Sequence, residues 1–126
     1  MTENEIGTII INNSIAIHKE LGAGLFESVY TSILYHLLSE QNLRVEKQVL
    51  IPVRFRELWF DEVFRADLIV EQKVLVELKS VEHVLKVHKK QVLTYLKLTG
   101  LKLGYLINFN ESLLKDGITR MINGRL

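Results

Sequence analysis

The chain has no cysteine, which excludes disulfides and thiolate metal sites and agrees with a reducing compartment. Proline occurs once, at Pro52, and tryptophan once, at Trp59. No apolar run approaches the ~20 residues that a bilayer-spanning helix needs. The opening segment MTENEIGTII lacks the basic start and long apolar stretch of a secretory signal. No segment couples low hydrophobicity to a long run of charge, so none is expected to be disordered. Internal repeats, low-complexity tracts and linkers are also missing. These absences lead to the expectation of one soluble, cytoplasmic domain over residues 1–126, with no membrane association.

What is present suits a globular core. The 126 residues are 48% hydrophobic and 25% charged, enough apolar surface for one domain to bury a real interior. The net charge is only +1, but residues 1–62 carry −4 and residues 63–126 carry +5. Lys86, Lys89, Lys90, Lys97 and Lys102 lie close together in the positive half. Such a cluster either meets phosphates or forms an ordinary solvated helix face.

Apolar residues recur at helical spacing over Glu5–Leu21 and again over Leu25–Leu38, with Gly22-Ala23-Gly24 forming a turn between them. From Leu43 the period drops to two, and Val45, Val49, Ile51, Val53 and Phe55 mark a strand whose Pro52 belongs at a sheet edge. Leu58–Val63 reads as a turn or short strand, with Trp59 either anchoring the sheet edge or stacking a base. Phe64–Val70 and Val74–Lys79 read as a hairpin around Glu71-Gln72-Lys73. A helix is expected over Glu82–Leu98, a strand over Leu103–Phe109, a loop over Asn110–Gly117 and an edge strand over Ile118–Ile122. The fold class is therefore α/β, a mixed sheet flanked by helices in the order αα-βββ-α-β.

The strands contain charges that a simple buried face would not tolerate. In Val74–Lys79, Val74, Val76 and Leu78 point one way and Leu75, Glu77 and Lys79 the other. Pairing Val70 with Val74 puts Asp67 directly opposite Glu77, and Arg65 opposite Lys79. Facing carboxylates repel, and burial drives one of them toward protonation; a hard divalent cation removes both costs. Alternatively, Asp67 and Glu77 face solvent, or Glu77 simply pairs with Lys79 or Arg65.

Asp67, followed nine residues on by Val76-Glu77-Leu78-Lys79, resembles the D…(D/E)xK core of the PD-(D/E)XK nucleases. Ala66 stands before Asp67 where those proteins often have proline. Gly24-Leu25-Phe26-Glu27-Ser28-Val29-Tyr30 resembles the signature of the GxxExxY branch of that superfamily. Further matching segments are Ile17–Gly22, Phe64–Leu68, Gln91–Leu96 and Leu106–Asn110, so the likeness runs from about Ile15 to Leu126.

The resemblance implies a single restriction-endonuclease-like domain that hydrolyses phosphodiester bonds, with DNA as the expected substrate and Mg²⁺ or Mn²⁺ as cofactor. It implies metal ligation by Glu27, Asp67, Glu77 and the main-chain carbonyl of Leu78, with Lys79 orienting the attacking water. Gln91 and Tyr95 resemble a QxxxY element that positions the metal site or the nucleic acid. Tyr30, His18 and Arg65 are supporting or positioning candidates, although a buried tyrosine or lone histidine is more often structural. His88 shares the helix face of Gln91 and Tyr95. Two other classes compete with the nuclease: a nucleic-acid-binding module that does not cleave, and a subunit of a larger repair or defence complex. Serine-based hydrolysis has no support, because no serine sits in a glycine elbow. Gly22-Ala23-Gly24 joins helix to helix and is no nucleotide loop.

Overall fold

In the computed structural model, which describes residues 1–126, helix α1 (Glu3–Leu21) starts at a reciprocal cap. Thr2 Oγ1 accepts from the Glu5 N–H and Glu5 Oε1 accepts from the Thr2 N–H. This arrangement satisfies two of the donors that a helix start leaves orphaned. Gly22, at φ 69°, and Gly24, at φ 103°, turn the chain through backbone angles that side-chain-bearing residues rarely adopt. Helix α2 (Glu27–Glu40) follows at once.

Strands β1 (Val45–Phe55), β2 (Leu58–Val70) and β3 (Val74–Lys79) form an antiparallel meander. Helix α3 (Lys86–Thr99) then carries the chain over to β4 (Leu103–Asn108), which runs parallel to β3. A 3₁₀ turn (Leu114–Gly117) leads to β5 (Ile118–Ile122), antiparallel to β4. The spatial order is β1-β2-β3-β4-β5, so β1 with Pro52 is an edge, where a missing N–H costs no ladder bond. This mixed five-stranded sheet with three helices is the α/β arrangement expected of a restriction-endonuclease-like domain.

Each sheet face has its own core. Val74, Val76 and Leu78 join Ile6, Ile10, Tyr30, Leu34 and Phe109 under α1 and α2. Leu75 joins Ile51, Ala66, Val92, Tyr95 and Leu96 under α3. The alternation along β3 thus divides the molecule as its sequence predicts, and Glu77 takes the α3 side with Leu75. Gly7 lets α1 approach β4, because a Cβ there would collide with the Tyr105 hydroxyl.

Two elements differ from expectation. Leu58–Val63, read as a turn or short strand, is continuous with Phe64–Val70 in one 13-residue strand, and Trp59 lies opposite Arg54 in the ladder. Leu58–Val63 is exposed throughout, so no burial alternation marks it in the sequence; backbone pairing alone makes it a strand. Helix α3 begins at Lys86 rather than Glu82. The Asn108 amide holds the preceding loop by donating to the Val81 carbonyl (2.8 Å) and accepting from the Val81 N–H (3.1 Å). The Leu85 N–H donates to His88 Nδ1, closing the helix start there.

Candidate active site

Asp67 sits where β2 lets go of both neighbours. Toward β3 the ladder runs Val70↔Val74, Ile69↔Leu75, Leu68↔Val76 and stops. Toward β1 the pairs Lys47↔Leu68 and Val49↔Ala66 leave out Gln48, which adopts φ 52°. Backbone groups freed by such a break need other partners, and the two carboxylates supply them. Glu77 Oε1 accepts from the Asp67 N–H at 2.8 Å, and Asp67 Oδ2 accepts from the Leu78 N–H at 2.8 Å. The side chains thus replace the main-chain rungs, each reaching across to the other strand.

The electrostatic consequence follows from burial. Glu77 is only 5% exposed and Asp67 is half-buried. Loss of water and the neighbouring Asp67 charge push Glu77 up to about 8, while the Asp67 N–H and Lys79 hold it back. Asp67 is also raised, by burial first, against the pull of the Leu78 N–H and Lys79. The pair therefore shares one proton near neutrality, as facing buried carboxylates require. Tyr95, on α3, has its hydroxyl pKa raised by burial and then by the charges of Glu77 and Asp67.

Lys79 leaves the sheet on the same face as Glu77, half-buried, with no carboxylate within ion-pair distance. Its ammonium is therefore free of a fixed partner. The carbonyl of Lys79 accepts from the Phe109 N–H at 2.8 Å, which anchors this end of β3.

Glu27 comes from the first turn of α2, where the positive end of the helix dipole favours a carboxylate. The turn before it is held by Tyr30, whose hydroxyl donates to the Gly22 carbonyl (2.6 Å) and accepts from the Leu25 N–H (3.2 Å). Tyr30 is fully buried and stacks on Phe109 with centroids 4.3 Å apart. Ser80 ties this turn to β3: its hydroxyl donates to the Leu25 carbonyl (2.7 Å) and its N–H to Glu27 Oε1 (3.4 Å). Glu27 reaches far enough for its charge to raise Asp67. Its carboxylate nevertheless stays with Ser80, and no three histidine, aspartate or glutamate side chains stand together as a ready metal cage.

The remaining candidates occupy different positions. Gln91 and Tyr95 lie on the face of α3 toward the sheet; Tyr95 is buried edge-on to Phe64 at 6.1 Å, and Gln91 is half-buried. His18 is nearly buried, with Nε2 at 2.7 Å from the Glu111 carbonyl, so it braces the loop before β5. Arg65 is exposed and pairs with Leu50 of β1; it does not face Lys79, because the β2–β3 ladder ends before reaching it.

Asn108 and Ser80 carry no role in the sequence reading, yet they clamp both sides of the chain segment that follows Lys79. Asn108 is fully buried at the end of an apolar strand. A polar side chain in that setting is the same anomaly that singles out Glu77, and it was available as a signal. Ser80 offered none, since its partners are distant in sequence.

The donors fit a hard divalent cation. Asp67 and Glu77 offer carboxylate oxygens alone, and each spends only one oxygen on a main-chain N–H. A cation would also relieve the repulsion that burial creates. The family described as the PD-(D/E)XK nuclease superfamily matches this chain over residues 4–121. No curated protein and no solved structure gives a match.

Proposed function

The chain belongs to the PD-(D/E)XK nuclease superfamily, and on that premise we propose that it is a divalent-metal-dependent nuclease acting on DNA, of the GxxExxY branch. The observation that carries this reading is the crossed Asp67–Glu77 pair, buried at a break in the sheet with Lys79 two residues further on. A structural ion pair would place Lys79 against a carboxylate; here two acids face each other and the cation stands off.

Asp67, Glu77 and the Leu78 carbonyl would hold Mg²⁺ or Mn²⁺, with Glu27 swinging from Ser80 to complete the set. A cation held there would supply Lewis acidity toward a phosphoryl oxygen and would lower the pKa of a water to near neutrality. To bind it as two carboxylates, Asp67 and Glu77 would release their shared proton to solvent. The Lys79 ammonium orients the nucleophilic water and offsets charge developing on the phosphate in the transition state. Gln91 and Tyr95 line the side from which a strand would approach. Tyr30 acts through the Gly22–Leu25 turn and so sets the position of Glu27.

Incubation of the pure protein with single- and double-stranded DNA and RNA, in Mg²⁺, Mn²⁺ or EDTA, tests the reading. Cleavage of DNA with either metal and none in EDTA is expected. No cleavage of any substrate would overturn it. One observation favours a second reading, binding without hydrolysis: Glu27 is held by Ser80 rather than beside the acid pair. Metal-independent binding with no cleavage would select that alternative.

A further inference from the structure

A groove of about 400 Å³ lies between α3 and the base of the β1–β2 arm. Its walls are largely apolar, Val53 and Phe64 from the sheet and Val87, Tyr95 and Leu98 from α3, with the Thr94 hydroxyl among them. Tyr95 lies near enough to Asp67 and Glu77 to feel both charges, so the groove opens beside the candidate active site. Val87 is 62% exposed and Leu98 39% exposed, so the outer part of the groove is open to solvent.

The rim differs in kind from the walls. Lys86, Lys90 and Lys97 stand exposed along one side of α3, with Lys89 on the far side, and this helix contains no aspartate or glutamate. Lys90 and Gln91 border the groove itself. The Gln91 side-chain amide makes no hydrogen bond within the chain, leaving both its donor and its acceptor available. A largely apolar slot with aromatic rings, one free amide and a basic helix edge complements a polyanion that carries flat apolar faces.

Duplex DNA cannot use such a slot, because stacking covers the faces of its bases and leaves only their edges in the grooves. An unpaired base exposes its face for aromatic and aliphatic contact and its edge for an amide. We propose that this groove binds an unpaired base of single-stranded DNA, with the flanking phosphates along the α3 lysines, so that the preferred substrate is single-stranded beside the scissile bond. The inference rests on the nuclease reading for its substrate class, but binding tests it independently of cleavage.

The experiment is fluorescence anisotropy of the full chain in EDTA with a labelled single-stranded DNA oligonucleotide. The same strand as blunt duplex, as RNA, and with one abasic position provides the comparison. The wild type is expected to bind the single strand about tenfold more tightly than the duplex. The double variant Val87→Ala, Leu98→Ala keeps charge and helix propensity and truncates two exposed side chains. It should lose about tenfold in single-strand affinity, the scale of one lost base contact, while duplex affinity stays within about twofold. Gln91→Ala should weaken binding to the intact strand and leave binding to the abasic strand little changed. Equal wild-type affinity for single strand and duplex, tighter binding to RNA, or equal losses on both DNA forms would overturn the proposal. Cleavage with metal but no single-strand preference would leave the nuclease reading standing and remove the groove. Groove-dependent binding with no cleavage in any metal would do the reverse.

Discussion

Asp67 and Glu77 are interlocked across a gap in the sheet: Glu77 accepts from the Asp67 N–H, and Asp67 from the N–H of Leu78, the residue after Glu77. Neither carboxylate can leave without stranding a main-chain donor. Asp67→Ala should therefore cost about 1–3 kcal/mol in the metal-free protein from the unsatisfied Leu78 N–H, less whatever is recovered by relieving the repulsion on Glu77. Thermal denaturation in EDTA measures the balance. In millimolar Mg²⁺ or Mn²⁺ the wild-type Tm should rise, since a ligand of the native state alone stabilises it, and Asp67→Ala should abolish that rise. A wild-type Tm indifferent to both metals would count against the site.

The raised pKa of Glu77 gives a pH dependence with a definite sign. At pH below its ordinary 4.5 the carboxyl is protonated in both folded and unfolded chains. Between 4.5 and about 8 the unfolded chain ionises while the folded one keeps its proton, so stability from this group falls as pH rises and levels off above about 8. Metal-free protein should therefore lose stability to urea from pH 5 to pH 8. Glu77→Gln, which cannot ionise, should flatten that part of the profile. A wild-type profile that rises across this range and is unchanged by Glu77→Gln would contradict the assignment.

Tyr30→Phe removes one hydroxyl that bonds both sides of the glycine turn while keeping the ring on Phe109. The expected loss is about 1–3 kcal/mol of stability, because the Gly22 carbonyl and Leu25 N–H lose a buried partner. If the turn sets Glu27, metal-supported cleavage should fall as well, with the Tm response to metal weakened rather than abolished. Unchanged stability and activity would show that the turn holds without Tyr30.

Asn108→Leu should free the Val81 backbone and cost about 2–4 kcal/mol, a buried amide network replaced on one side only. Hydrogen exchange over residues 80–85 reads this directly, and faster exchange confined to that loop is the expected pattern. Protection equal to wild type there would contradict the clamp.

Much of the architecture was legible because burial writes a period into the sequence. Val74, Val76 and Leu78 alternate with Leu75 and Glu77, and the structure puts them in the two cores on opposite faces. The hairpin register around Glu71-Gln72-Lys73 followed from loop length as far as Leu68↔Val76, and beyond it side-chain bonds join Asp67 and Glu77. Burial is silent where it does not act: the arm over Leu58–Val63 is exposed and left no pattern. The late start of α3 was hidden because its cause, Asn108, lies beyond the helix in sequence. The break in the ladder at Asp67 was also invisible, since it depends on the backbone turning at Gln48 in the adjacent strand. The sequence likewise does not reveal that Glu27 rests on Ser80, a bond made across the fold.

The most direct measurement is single-turnover cleavage of single-stranded DNA by wild type and Lys79→Ala at saturating Mn²⁺, with the Tm shift on metal addition recorded for both. Lys79 has no carboxylate partner to lose, so the variant should fold normally and keep its metal response. Its rate should fall on the order of a hundredfold or more, the loss expected for an electrostatic group that acts in the transition state. Lys79→Arg should recover little, because a planar guanidinium does not replace a compact ammonium. Cleavage by Lys79→Ala at the wild-type rate would contradict the account.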